Sequence, residues 1–186
     1  EKKGLKIIDA TTNFVNGGSL RVLVTHKENS RPKSKRYKEI LYEDKKWNLE
    51  ELDTYVQYEH KIKDIIKKSR EFIVNEIENG GTVIGLGAST KGNVLLQICG
   101  IDKNLLPFIS ERNRDKVGLR TLGTDIEIIS EEKAREINPS AMLVIPWNFK
   151  EEVLSREKDY IQNGGKMLFL MPRPYFVDKN GEHYLE

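Results

Sequence analysis

Alternating and continuous apolar patterns divide the chain into three parts. Residues 19–25 alternate polar and apolar side chains at period two, which predicts a β-strand with one buried face. Residues 48–80 carry apolar side chains at helical spacing, which predicts one long amphipathic helix with Asn48 as its N-cap and Glu51 completing a capping box. From Gly81 onward, short continuous apolar runs alternate with helical segments, a pattern typical of strands buried on both faces.

The alternation after Gly81 predicts an α/β fold. The apolar runs predict strands at residues 82–87, 106–110, 126–129, 141–145 and 166–170, with helices at 91–98, 131–136 and 150–162. This order favours a Rossmann-like, mostly parallel sheet with helices on both faces. The predicted organisation is a β segment with a polar linker (1–47), a long connecting helix (48–80), a Rossmann-like domain (81–178) and a tail (179–186).

Composition excludes several classes of protein. The 186 residues carry a formal net charge of +2, which argues against a nucleic-acid-binding protein that depends on a basic surface. No run approaches the ~18 apolar residues of a membrane span, so we expect a cytoplasmic protein without a membrane partner. A single cysteine, Cys99, excludes an internal disulfide, and the three histidines match no metal-binding spacing.

The glycine-rich segment Gly85–Asn93 follows the first predicted strand of the sheet. Ligands of open parallel sheets bind beyond the carboxyl ends of the strands, and a helix start there presents N–H groups to an anion. Ser89 and Lys91 add a hydroxyl and a positive charge, which favours a phosphate site. The segment matches neither the dinucleotide fingerprint nor the Walker P-loop, and a tight turn without a ligand is the alternative.

Two further strand ends carry candidate binding residues. Glu111 ends the second predicted strand, where a carboxylate accepts hydrogen bonds from ribose hydroxyls; an ordinary exposed glutamate is the alternative. Trp147 and Asn148 follow the 141–145 strand and suit stacking on a sugar or base, although Trp147 also suits ordinary packing. Because no catalytic set of carboxylates or nucleophiles stands out, these residues indicate nucleotide or phosphate binding without catalytic machinery.

These motifs together resemble a known family. Gly17-Gly18-Ser19-Leu20-Arg21, the glycine-rich segment 85–93 and Pro146-Trp147-Asn148-Phe149 occur in an order and spacing similar to the C-terminal domain of S-adenosylmethionine (SAM)-dependent sugar C-methyltransferases. The similarity covers about residues 4–178. The chain departs from the family pattern at Ser89, where the family has proline, and at Glu111, where it has aspartate.

The resemblance implies a three-part enzyme that methylates a deoxythymidine-diphosphate (dTDP)-linked keto sugar. A zinc-binding domain and a SAM-binding methyltransferase domain would precede this chain and would be its partners, together with the sugar nucleotide. The resemblance therefore implies that this chain binds neither SAM nor zinc, carries no catalytic residue and is inactive alone. The substrate-binding residues implied by the resemblance are Ser19, Arg21, Ser89, Lys91, Asn93, Glu111, Trp147 and Asn148.

Three other functions remain open from the residues. The chain could be an NAD(P)-dependent enzyme, although the dinucleotide fingerprint is incomplete. It could be a nucleotide-binding or regulatory module without catalytic activity that uses its sheet for association. Finally, the glycine-rich segment itself could bind SAM.

Overall fold

The computed structural model describes residues 2–186 and divides the chain into two compact units, residues 1–60 and 61–186. In the first unit, strands β1 (Leu5–Asn13) and β2 (Ser19–His26) form an antiparallel hairpin. Helix α1 (Lys35–Lys46) packs on β1, where Ile8 and Ala10 are buried. Ser34 caps α1 by accepting a hydrogen bond from the Tyr37 amide, 3.1 Å away.

Two predictions for this part of the chain are wrong. The polar linker predicted over residues 27–46 contains α1, because Ser34 supplies a cap to a segment rich in helix-forming lysine and glutamate. Asn48 does not cap the long helix: α2 spans Leu52–Glu78, and Asn48 adopts a left-handed conformation with φ 48°. Asparagine tolerates that conformation better than most residues, so the chain turns between the two helices.

The second unit contains a seven-stranded sheet in the order β5-β4-β3-β6-β7-β8-β9. Its strands are β3 (Val83–Leu86), β4 (Phe108–Glu111), β5 (Glu127–Ser130), β6 (Ala141–Val144), β7 (Lys166–Phe169), β8 (Tyr175–Asp178) and β9 (Gly181–Tyr184). Strands β3 to β7 pair in parallel, and β8 and β9 extend the sheet in antiparallel fashion. The prediction of an α/β fold with a mostly parallel sheet is confirmed.

Each face of the sheet carries its own core cluster, because neighbouring residues of a strand point to opposite faces. One cluster joins Val83, Ile109 and Leu143 to α2 and to α3 (Thr90–Ile98). Ile65, Ser69 and Ile73, spaced four residues apart, are the buried positions of α2. The other cluster joins strand residues to three further helices, α4 (Glu131–Ile137), α5 (Lys150–Arg156) and α6 (Lys158–Gln162).

The end of the chain differs from the prediction in two places. The helix predicted over 150–162 is two helices, α5 and α6, which meet at Glu157. The predicted tail over 179–186 contains β9, which pairs with β8 and places Tyr184 beside Tyr175 with 5.6 Å between the ring centroids. A short polar hairpin strand gives little apolar signal in a sequence, and its pairing with β8 determines its structure.

Candidate functional site at the carboxyl ends of the strands

A cavity of about 240 Å³ opens at the carboxyl ends of β3, β4 and β6. The chain leaves β3 toward β4 on one side and reaches β6 on the other, and ligands of parallel sheets bind where the order reverses in this way. We call this space the strand-end cavity. Its walls are Leu86, Gly87, Ala88, Ser89, Ser110, Glu111, Arg112, Lys116, Glu131, Pro146, Phe149, Glu152, Val153 and Arg156.

Glu111 is the anchored carboxylate of the strand-end cavity. Its Oε2 accepts a hydrogen bond from the Ala88 amide at 2.8 Å, and its Oε1 accepts one from the Asn113 amide at 3.0 Å. Burial raises the pKa of this carboxyl, but the two amides and the nearby Lys116 ammonium outweigh that effect, so the pKa lies below its usual value. Glu111 is therefore ionised at neutral pH and still has lone pairs for hydroxyl donors.

Lys116 completes a closed network with Glu111 and the loop after β3. Its Nζ donates to the Ala88 carbonyl at 2.8 Å and lies 3.5 Å from Glu111 Oε2. Both backbone groups of Ala88 are thus bound by residues at the end of β4 and in the loop that follows: Glu111 accepts from the amide, and Lys116 donates to the carbonyl. The network fixes the position of the β3–α3 turn relative to the neighbouring strand. Sequence reasoning missed Lys116, although it belongs to the segment 111–118 that also carries Glu111.

The amide groups of the glycine-rich segment bond largely within the protein. The Gly87 amide donates to the Ser110 carbonyl at 2.8 Å, and the Ser89 amide donates to the Gly87 carbonyl at 3.1 Å. Ser89 caps α3 by accepting from the Gly92 amide at 3.0 Å, and the Asn93 amide donates to the Ser89 carbonyl. The expectation of freely available N–H donors therefore does not hold for these groups, because the capping residue and the turn already use them.

The glycines of the same segment serve internal packing. A Cβ on Gly85 would lie 2.7 Å from Ile109 Cγ1, one on Gly87 would lie 2.9 Å from Pro146 Cδ, and one on Gly92 would overlap Ile145. A Cβ at these positions would meet protein atoms instead of an open cradle. These contacts show that the three glycines allow the β3–α3 turn to pack closely against its neighbours.

Three ion pairs surround the strand-end cavity at longer than ideal distances. Besides Lys116 and Glu111, Arg112 lies 3.5 Å from Glu152, and Arg156 lies 3.4 Å from Glu131. Good charge-assisted hydrogen bonds are about 2.7–2.9 Å long, so the Arg112–Glu152 contact is a weak one. Lys116 and Arg156 are held more firmly, because Lys116 also donates to the Ala88 carbonyl at 2.8 Å and Arg156 Nε donates to Glu157 at 2.9 Å. An anionic ligand can therefore gain a closer contact from Arg112 than Glu152 provides.

The loop after β6 presents a different aromatic residue from the one expected. Trp147 packs, half-buried, against the second core cluster, whereas Phe149 is 51% exposed and lines the strand-end cavity. Asn148 lies between them and is half-buried. The cavity is also lined by Phe149, which immediately precedes α5, and by three residues of α5 at helical spacing, Glu152, Val153 and Arg156. That spacing is the sequence signal that would have found them.

Lys91 and Asn93 lie in the first turns of α3, where Lys91 is exposed. Asn93, together with Ser89 and Lys116, lines a second cavity of about 250 Å³ on the other side of the β3–α3 turn. Within residues 2–186, the Asn93 Oδ1 is a buried side-chain oxygen without a hydrogen-bond partner. Six of the eight predicted binding residues thus belong to the second unit, on α3 or at the ends of β4 and β6.

The other two predicted residues belong to the first unit. Ser19 begins β2, and its hydroxyl donates to the Val15 carbonyl at 2.9 Å. Arg21 is exposed and lies opposite Thr11 in the hairpin. Ser19 also lines a concavity of about 440 Å³ at the tip of the hairpin, beside Gly17 and Gly18. Their part in substrate binding stays a prediction.

Another concavity, about 670 Å³, lies at the amino ends of the strands, opposite the strand-end cavity. Its wall contains Glu157, whose side chain is fully buried and bonds to Arg135 and to Arg156 Nε, the latter at 2.9 Å. Tyr160 in the same wall donates to the Pro139 carbonyl at 3.0 Å. These polar groups satisfy one another, and we assign this concavity a structural role.

From residue 2 to residue 186, no cluster of three or more histidine, cysteine, aspartate and glutamate side chains is suited to hold a metal ion. Nor does any helix in that range combine the length and apolar character needed to cross a membrane.

Comparison with known proteins assigns the chain to a family. The model of the C-methyltransferase C-terminal domain matches residues 14–172. A C-methyltransferase from Streptomyces niveus, NovU, is 30% identical over 177 residues, which cover 95% of this chain and 42% of that protein. The chain therefore spans less than half the length of this relative. The resemblance read from the motifs is confirmed: the chain belongs to the family of C-methyltransferase C-terminal domains.

Proposed function

We propose that this chain is the substrate-binding part of a SAM-dependent C-methyltransferase that acts on a dTDP-linked keto sugar. The second unit would serve as a Rossmann-like domain whose strand-end cavity holds the nucleoside end of the substrate. Methyl transfer itself, with SAM as the methyl donor, would belong to a separate methyltransferase domain. The contribution of this chain is to hold the sugar in a fixed position relative to that domain.

The ionised, anchored Glu111 is the observation that carries this proposal. A carboxylate at the end of the strand next to β3 is where nucleotide-binding sheets hold the hydroxyls of a ribose or deoxyribose. Glu111 is fixed there by the Ala88 and Asn113 amides, and it faces the strand-end cavity. Because it accepts and cannot donate, it suits a sugar hydroxyl and repels a phosphate.

The diphosphate would then lie toward the cationic side chains. Lys116, Arg112 and Arg156 line the cavity, where the Arg112–Glu152 contact is long at 3.5 Å, and Lys91 extends from the first turn of α3. Since several amides of the β3–α3 turn are bonded internally, side chains would supply most of the contacts to the phosphates. These cations would neutralise the two negative charges of the diphosphate, and this attraction would compensate for its repulsion by the Glu111 carboxylate.

Isothermal titration of the chain with dTDP tests the proposal. We expect binding, and we expect Lys91→Ala to weaken it about 10-fold, the value of one charge-assisted contact. Lys67→Ala, an equally charge-reducing change on the exposed side of α2, is the control and should leave the affinity unchanged. Absence of heat with dTDP, or tighter binding of NADH or SAM than of dTDP, would overturn the proposal.

A further inference from the structure

We infer that Phe149 is the stacking surface for the nucleobase of the substrate and that the face of α5 forms the base-binding wall of the strand-end cavity. This inference rests on the proposed function, since it assigns the part of the ligand that each wall contacts. The sequence motif had predicted Trp147, and not Phe149, as the aromatic residue of this wall.

Phe149 exposes an apolar ring beside a polar cavity. Phe149 is 51% exposed, whereas Trp147, two residues earlier, packs on the core cluster. A ring with a free face at the wall of a cavity is a surface on which a base can stack, because every base has a π-face. Trp147 has already buried much of its area in the protein.

The α5 side and the β4 side of the strand-end cavity offer different contacts to a ligand. Val153, a buried residue of α5 four positions after Phe149, supplies a further apolar surface of the cavity. Glu111 stands on the β4 side of the cavity as the acceptor for a sugar hydroxyl. A nucleoside whose sugar contacts Glu111 therefore reaches the α5 side with its base, and Phe149 is the aromatic residue in that wall.

The volume of the strand-end cavity also limits the size of the ligand. The cavity volume of about 240 Å³ is below the ~300–1,000 Å³ of pockets that enclose a whole ligand. It can take a nucleoside fragment with one ring more readily than a purine dinucleotide. The ligand that fits this wall is therefore a single nucleoside, such as the thymidine of the proposed substrate, whose diphosphate extends out of the cavity toward the cations.

Two substitutions and two ligands test the assignment. Phe149→Leu keeps an apolar side chain and removes the aromatic face, so it should weaken dTDP binding about 10-fold, within the 1–3 kcal/mol that stacking on one base contributes. Phe149→Trp should retain wild-type affinity. Inorganic pyrophosphate, which has no base, should bind the wild type and Phe149→Leu equally. Tyr42→Leu, which removes an exposed ring of α1, is the matched control.

The outcomes separate the inference from the proposed function. An NMR titration should also show an upfield ring-current shift of the thymine methyl protons in the wild type and a much smaller shift in Phe149→Leu. If the wild type binds dTDP and Phe149→Leu binds it equally well, the stacking assignment is wrong and the proposed function stands. If neither protein binds dTDP, the proposed function itself fails, and the inference fails with it.

Discussion

Removal of the Glu111 carboxylate tests the central network of the site. In Glu111→Ala the Ala88 and Asn113 amides lose a charged acceptor, and Lys116 loses its nearby counter-charge. Hydrogen bonds to charged groups contribute about 1.5–3 kcal/mol each, but water can replace the acceptor at the exposed Asn113 amide. We therefore expect a loss of about 2–3 kcal/mol in the free energy of unfolding and a Tm lower by roughly 10 °C.

The pH dependence of the effect supplies a second, independent readout. The pKa of Glu111 is lower in the folded chain than in the unfolded chain, so the ionised carboxylate stabilises the fold above the unfolded pKa. That stabilisation disappears as the pH falls through the folded pKa. The difference in stability between the wild type and Glu111→Gln, which cannot titrate, should accordingly be full at pH 7 and should narrow below about pH 4.5.

Urea unfolding followed by circular dichroism measures both quantities. Glu71→Gln, on the exposed side of α2 and 3.9 Å from Lys67, is the matched control and should change stability by less than about 0.5 kcal/mol. An unchanged urea midpoint in Glu111→Ala would show that the carboxylate does not hold the turn after β3. A gap between the wild type and Glu111→Gln that stays constant from pH 7 to pH 3 would refute the electrostatic part of the reasoning.

Two further predictions concern buried positions near the site. Gly92→Ala places a methyl group against Ile145 and should lower the free energy of unfolding, measured in urea, by about 3 kcal/mol or more. Val94→Ala, on the exposed side of α3, is the control and should lower it by about 0.5 kcal/mol or less. Equal urea midpoints for the two variants would contradict the packing role of Gly92. Burial raises the pKa of the Cys99 thiol to about 11, so a thiol reagent at pH 8 should modify it slowly in the folded chain and rapidly in urea; fast modification in buffer would contradict its burial.

The sequence predicted the centre of the sheet better than its periphery. Strands such as β3 and β6 are buried on both faces, so they are continuous apolar runs that leave little ambiguity. Helix α1 and strand β9 are mostly exposed, and their residues carry polar side chains that linkers also carry. Their structure depends on a cap at Ser34 and on pairing with β8, which periodicity does not reveal.

At the candidate site, the sequence predicted where Glu111 lies but not the contacts that it makes. The rule for parallel sheets predicted that Glu111 stands at a strand end, because that rule depends only on the order of elements. It did not predict that Glu111 binds the Ala88 and Asn113 amides, since those contacts depend on how two loops fold against each other. For the same reason, the sequence predicted Trp147 at the pocket wall, whereas the structure packs Trp147 on the core cluster and exposes Phe149 at the strand-end cavity.

The glycine-rich segment shows why a motif of this kind is ambiguous. Glycine permits a ligand to approach the backbone, and it equally permits a helix to pack closely against a strand. In this chain Gly85, Gly87 and Gly92 face Ile109, Pro146 and Ile145, and Gly87 also has a left-handed φ of 82°, so packing and backbone conformation are sufficient to explain their presence. The proposed function accordingly assigns recognition of the ligand to side chains around the turn. The effects of Lys91→Ala and Phe149→Leu on dTDP affinity will consequently decide the function more sharply than any change to the glycines, which would alter the fold first.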